Sequence, residues 1–154
     1  MEIERKFLIN ELPKDLTTYP CRHIEQGYLA TNPVVRIRKD NDKYELTYKG
    51  KGQMIREEHN LPLTQEAYEH LRDKIDGRLI VKKRYMIPYN EHTIELDVFE
   101  GDLSPLILAE VEFPTEEAAN RFIAPCWFAE DVTFSKQYHN SYLSSLLFKR
   151  ITIP

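Results

Sequence analysis

Segment after segment of this 154-residue chain alternates apolar and charged residues with a period of two, the signature of strands with two unlike faces. Glu2, Glu4 and Lys6 share one face of a first strand, and Ile3 and Phe7 share the other. A short strand at 24–29 puts Gln26 and Tyr28 together, and 34–40 projects Arg36 with Arg38. In 44–49, Glu45, Thr47 and Lys49 oppose Tyr44, Leu46 and Tyr48, and 55–60 places Arg56 with Glu58. Around 80–87, Lys82 and Arg84 oppose Val81, Tyr85 and Ile87. Glu95 and Asp97 oppose Ile94, Leu96 and Val98, and Glu110 and Glu112 oppose Ala109, Val111 and Phe113. Turn residues punctuate these runs at Asn32-Pro33, Asp40-Asn41-Asp42, Gly50-Lys51-Gly52, Tyr89-Asn90-Glu91 and Gly101-Asp102.

The charges also segregate by sign. Arg36/Arg38 and Lys82/Arg84 stand against Glu2/Glu4, Glu95/Asp97 and Glu110/Glu112. Like charges two residues apart on a strand face lie about 7 Å apart and repel, whereas a face built for solubility mixes its signs. Three amphipathic stretches need an apolar surface. Thr64 caps a helix with Tyr68, Leu71 and Ile75 on one stripe and Gly77 as its stop; Thr115 starts a second, with Ala118, Ala119 and Phe122 inward and Pro125 closing it. Ser135 starts a third with Tyr138, Tyr142, Leu146 and Leu147. Helices covering the apolar face leave the charged face to curl inward, and closure removes exposed strand edges. The expectation is an α+β fold: an eight-stranded antiparallel β-barrel with a charged interior, about three helices outside, and residues 1–154 as one domain. A half-open sheet with a charged concave face is the nearest competitor.

Charged residues make up 30% of the chain, yet the formal net charge is −4, which argues against a nucleic-acid partner and gives no support to membrane-surface binding. No secretory-type apolar run opens the chain, and no segment approaches the roughly 20 apolar residues of a membrane span, so a cytoplasmic protein is expected. Cys21 and Cys126 have no metal-ligand spacing, and neither do His23, His59, His70, His92 and His139. Gly50-Lys51-Gly52 opens no helix and reads as a hairpin turn.

Carboxylate pairs such as Glu2/Glu4 and Glu110/Glu112, joined by Glu95 and Asp97, are hard oxygen ligands suited to Mg²⁺ or Mn²⁺. Without cations they repel, and some take up protons. Arg36, Arg38, Lys49, Arg56, Lys82 and Arg84 supply the complement, because guanidinium forks match phosphate oxygens and lysines act as point charges. Together they describe a polyanion site for phosphoryl transfer.

The series Glu2-x-Glu4-x-Lys6, Arg36-x-Arg38, Lys82-x-Arg84, Glu95-Leu-Asp97-Val and Glu110-Val-Glu112 resembles the CYTH superfamily, the triphosphate tunnel metalloenzymes, over essentially the whole chain. Gln26-Gly-Tyr28-Leu, Leu103-Ser-Pro-Leu106 and Pro125-Cys-Trp127-Phe resemble its short bacterial members acting on inorganic tripolyphosphate. The resemblance implies metal binding by Glu2, Glu4, Asp97, Glu110 and Glu112, and a phosphate chain held by Lys6, Arg36, Arg38, Lys49, Arg56, Lys82 and Arg84. It implies one Mg²⁺ or Mn²⁺ orienting the triphosphate and a second activating water, with pyrophosphate and phosphate as products. Glu2, Glu4, Lys82, Glu110, Glu112 and Tyr28 would carry catalysis. The segment after Ser135 would plug one end, with Lys136 reaching the tunnel. One departure is Asn60, where the family often has a second acid after Glu58. A small-molecule triphosphate is the expected partner, for a monomer or homodimer. Two other readings stand beside hydrolysis: an adenylate cyclase of the same superfamily, and a non-catalytic polyphosphate- or nucleotide-binding module.

Overall fold

The alternation closes on itself. The computed structural model describes residues 1–145, with strands β1 (Glu2–Ile9), β2 (Cys21–Thr31), β3 (Val34–Asp40), β4 (Lys43–Lys49), β5 (Ile55–Arg56), β6 (Glu58–Pro62), β7 (Asp76–Tyr89), β8 (His92–Phe99), β9 (Ile107–Glu112) and β10 (Phe128–Asp131). Helices α1 (Gln65–Arg72), α2 (Glu116–Arg121) and α3 (Asn140–Leu143) and three 3₁₀ turns complete it. The sheet runs β10-β1-β9-β8-β7-β2-β3-β4-β6, antiparallel throughout. Only Glu57 separates β6 from β5, and β5 pairs back to β1 through Glu2↔Arg56 and Ile3↔Ile55. The ring is therefore closed by one interrupted strand, the run expected as a single strand at 55–60. Past that junction β10 takes over beside β1, at Phe7↔Asp131 and Ile9↔Phe128. The break and the added strand give ten strands where eight were expected, around an eight-position wall.

The pleat sorts side chains into three regions. Outside, Phe7, Ile87, Ile94, Leu96, Val111 and Phe113 form an apolar layer under α2 and the aromatic loop that follows it. Inside one end, Tyr28, Ile80, Phe99 and Leu108 meet Val132, Tyr138 and Leu143 in a second apolar cluster. Between this plug and the other end lies the charged lumen. Among the described residues no helix is long and apolar enough to cross a membrane.

Local chemistry sets the helices. The Thr64 hydroxyl accepts from Ala67 N (3.1 Å), and that of Thr115 accepts from Ala118 N (3.0 Å), so both expected caps are made. Tyr68 is 1% exposed, packs on Tyr44 at 5.2 Å between ring centres and donates to Glu25 (2.8 Å). Two boundaries differ from the sequence reading. α1 ends at Arg72 and α2 at Arg121, short of Gly77 and Pro125. Gly77 instead opens β7 at φ 70°, where an added Cβ would lie 2.1 Å from the Ser144 carbonyl. That carbonyl accepts from Arg78 N (2.7 Å), tying the C-terminal segment to the wall.

The third helix is not continuous. Lys136–Tyr138 is a 3₁₀ turn, His139 is extended, and α3 then restarts in a new phase. Tyr138 and Leu143 are consequently the buried residues, while Tyr142 of the expected stripe is 39% exposed. Leu146 and Leu147 lie outside the described residues. Leu143, fully buried, contributes about 1.5–3 kcal/mol to docking this segment.

Gly77→Ala is expected to destabilise the fold by more than Gly101→Ala in denaturant titrations. Both glycines have positive φ, 70° and 64°, costing an L-residue about 1–3 kcal/mol. A Cβ at 101 meets nothing within 4 Å, whereas one at 77 must displace Ser144. Equal losses would show that the Ser144 contact is slack.

Candidate active site

The lumen holds a cavity of about 370 Å³, and its walls follow from strand register. Glu4 lies opposite Glu112 across β1 and β9, Lys6 opposite Glu110, and Glu95 opposite Glu110 across β8 and β9. Acids from three adjacent strands thus share one wall. Across from them β3 supplies Arg36 and Arg38, set against Tyr28 and Gln26 of β2. Glu2, Glu4, Lys6, Tyr28, Arg36, Arg38, Lys49, Arg56, Arg84, Glu110 and Glu112 all line the cavity, joined by Glu58, Glu95 and Arg22.

Several of these are paired. Lys49 Nζ reaches Glu2 at 2.9 Å, and Lys6 Nζ lies 3.4 Å from Glu110 and donates to Tyr138 O (3.1 Å). Arg38 Nε donates to Gln26 (2.8 Å), and burial, then Arg36 and Arg84, push that guanidinium down to about 10. Arg36 donates to Thr47 (3.0 Å), while its buried Nε has no partner among the described residues. Arg56 turns to its own loop, donating twice to Gly50 O (3.1 Å each). Thr47 donates to Asn60 (2.6 Å), and Asn60 donates to Glu58 (2.9 Å), so the residue that departs from the family pattern orients the acid beside it.

Three expected site residues are not on the lumen. Asp97 lies beneath it, one oxygen 2.7 Å from Arg84 Nε and the other 2.9 Å from Arg84 Nη2 and 2.7 Å from Lys82 Nζ. Both oxygens are held by cations at 2.9 Å or less and the side chain is sealed off the lumen, so Asp97 is not presented as a metal ligand. Lys82 is sealed with it, both side chains 0% exposed. Burial pushes the Lys82 ammonium down to about 7 against the pull of Asp97. The 14-residue β7 carries its first inward positions into the apolar plug, which is why Lys82 sits lower than Arg84. Lys136 is exposed and lines a neighbouring cavity with Lys51, Arg56 and His139, not the lumen. The reset at His139 turns a different residue inward: Asn140 lines the lumen and accepts from Lys82 (2.9 Å). His139, with no spacing to single it out, also lines the lumen, donating to Thr133 O (3.1 Å). Glu58 and Glu95 carried a sequence signal, the same parity as Arg56 and Asp97, whereas Asn140 and His139 carried none.

The carboxylates show what the wall lacks. Burial and then Glu4 push Glu2 up to about 8, outweighing Lys49. Glu58 goes the other way, to about 2: burial raises it, but the hydrogen bond from Glu2, Lys49 and Asn60 outweigh burial. Glu4 is raised by burial and Glu110, and Glu112 by burial, Glu95 and Glu58. Glu110 is held well below the usual range, Lys6 and Arg84 overcoming its burial. Glu4 and Glu112 face each other with no ion pair or side-chain hydrogen bond of their own among the described residues. No three His, Cys, Asp or Glu side chains among those residues already form a ready-made cation cage. The donor set nevertheless fits a hard divalent cation, being all oxygen, with charge left uncompensated on one wall.

A family model described as the CYTH domain matches residues 1–145. An inorganic triphosphatase of Nitrosomonas europaea is 42% identical over 149 residues, spanning 93% of this chain and 96% of that one. An inorganic triphosphatase of Acetivibrio thermocellus is 35% identical over 148 residues, spanning 92% of each. A crystal structure of an inorganic triphosphatase superposes with a TM-score of 0.69 at 38% identity, covering 94% of both chains.

Metal uptake is expected to release protons. Glu2 at about 8, above its ordinary 4.5, is protonated between those values in the metal-free fold. A cation must displace that proton, so Mn²⁺ affinity falls as pH drops from 8 toward 5. Calorimetry in buffers of different ionisation enthalpy should register on the order of one proton released near pH 7 and little near pH 9. Glu2→Gln should diminish the release; an undiminished release in that variant would assign it elsewhere.

Proposed function

The chain belongs to the CYTH domain family, and from that membership and its lumen we propose that it hydrolyses a triphosphate with divalent metal ions, inorganic tripolyphosphate being split to pyrophosphate and phosphate. The observation that carries the proposal is the division of one closed-ended lumen into an uncompensated carboxylate wall, with Glu4 opposite Glu112, and a guanidinium wall, with Arg36 and Arg38. A linear polyanion needs the second wall, and cations that neutralise it need the first. The two relatives named inorganic triphosphatase support the same reading.

Glu2, Glu4, Glu58, Glu110 and Glu112 would hold Mg²⁺ or Mn²⁺. Bound there, the metal supplies charge neutralisation of phosphate oxygens and a lowered pKa for water. Arg36, Arg38, Arg84, Lys49 and Lys6 orient the phosphate chain. The Tyr28 hydroxyl, inward beside Arg36, is a further donor at the closed end. Asp97 and Lys82 act beneath this layer by holding Arg84 in place.

Inorganic triphosphate is favoured over a nucleotide by what lines the cavity. Among the described lining residues Tyr28 and His139 carry rings, and Tyr28, 3% exposed, offers no open ring face to a base. Cyclisation of ATP would need such a base pocket.

The test is phosphate release from tripolyphosphate, ATP and thiamine triphosphate with Mg²⁺, with Mn²⁺ and with chelator. Metal-stimulated release, fastest from tripolyphosphate, is expected; none from any triphosphate would overturn the proposal. Glu4→Gln and Glu112→Gln should each lower turnover at fixed metal by at least about 100-fold, on the order of 3 kcal/mol or more in transition-state stabilisation. Circular dichroism should report an intact fold.

A further inference from the structure

The C-terminal segment touches the charged machinery through one amide. Asn140 Oδ1 accepts from Lys82 Nζ (2.9 Å) and from Gln26 Nε2 (3.2 Å), and its Nδ2 donates to Glu110 Oε1 (3.5 Å). Each of these neighbours leads to a different part of the site. Lys82 is paired with Asp97 (2.7 Å), Gln26 accepts from Arg38 Nε (2.8 Å), and Glu110 faces Lys6 and Arg84 (3.4 Å each). One side chain therefore joins the buried ion pair, the guanidinium wall and the carboxylate wall.

The amide can adopt only one orientation here. An ammonium has donors and no acceptor, and an ionised carboxylate has acceptors and no donor. Glu110, held ionised by Lys6 and Arg84, requires the nitrogen, which leaves the oxygen toward Lys82. Aspartate would lack the donor, leucine would lack both groups, and a shorter polar side chain would keep only part of the set. The surrounding fold holds the amide still, because Tyr138 O accepts from Lys6 Nζ on one side and Ser144 O accepts from Arg78 N on the other.

We infer that Asn140 is a positioning residue of this site, setting the placement of Glu110 and, through Gln26, of Arg38 relative to one another. The inference rests on the proposed triphosphatase reading for its consequence in turnover, but its geometry concerns both metal and anion binding. It also assigns the C-terminal segment a part in the site through Asn140 in place of Lys136.

Asn140→Leu keeps the number and branching of heavy atoms while removing every polar contact, and Asn140→Ser keeps at most part of the polar set. For Asn140→Leu, kcat is expected to fall by about 10–100-fold, the range seen when a partner orienting a metal ligand is lost. Mn²⁺ affinity, measured by calorimetry, should fall with it, and tripolyphosphate should bind the metal-free protein more weakly. Asn140→Ser should lose more than twofold in each measurement, falling between wild type and the leucine variant, and serves as the probe if the leucine variant does not fold. A residue that merely anchors the C-terminal segment would lower the melting temperature and leave kcat, Mn²⁺ affinity and tripolyphosphate affinity within twofold of wild type. That outcome overturns the inference. Absence of phosphate release by the wild-type protein would instead overturn the hydrolytic reading. Asn140 is then judged by the two binding measurements, where unchanged affinities in both variants count against it.

Discussion

Beneath the lumen, Arg84 grips both oxygens of Asp97 while Lys82 takes one of them from below. The rest of the interior depends on this arrangement. It marks the level at which an apolar plug built on Ile80, Phe99 and Leu108 gives way to a wet, charged cavity. Two basic side chains surround one fully buried carboxylate, and Glu95 and Glu110 meet Arg84 from above. Breaking such a buried group by removing one member typically costs about 3–5 kcal/mol, because the partners are left charged and dry. The triad is therefore a structural footing for the functional wall above it.

Above that footing the balance changes. Glu110 has cations on two sides, Glu2 has one lysine and is pushed up by burial, and Glu4 and Glu112 have no counter-ion of their own among the described residues. Packing acids together at this density is costly unless something else supplies positive charge. The guanidiniums of the facing wall do not do so by contact, since they are held by Gln26, Thr47 and a loop carbonyl. Cations and a polyanion arriving together would satisfy both walls, which is the physical content of the proposed triphosphate hydrolysis.

Much of this was legible in the chain. Period-two alternation with charges sorted by sign already implied an inward charged face, and helices with Thr64 and Thr115 caps implied an apolar exterior. Parity alone sufficed to bring Glu2, Glu4, Lys6, Arg36, Arg38, Lys49, Arg84, Glu110 and Glu112 to one lumen. Parity says which face a side chain takes, however, and nothing about its height along the barrel. Asp97 and Lys82 have the right parity and the wrong height, and they form the footing in place of the lining.

What the sequence by itself determined, then, is the two-faced strand and the chemistry of its inner face, because both are properties of residues two apart. What only the tertiary structure decided is which groups meet. The ring closes through an interruption at Glu57, a tenth strand covers the remaining edge of β1, and a break at His139 turns Asn140 inward and Lys136 outward. These outcomes depend on contacts between residues fifty to more than a hundred positions apart, such as Glu2 with Arg56, Gln26 with Asn140 and Lys6 with Thr133 and Tyr138. Local periodicity carries no information about such distances. The partner an ionisable group finds there decides whether it stays free for a ligand or is spent on the fold.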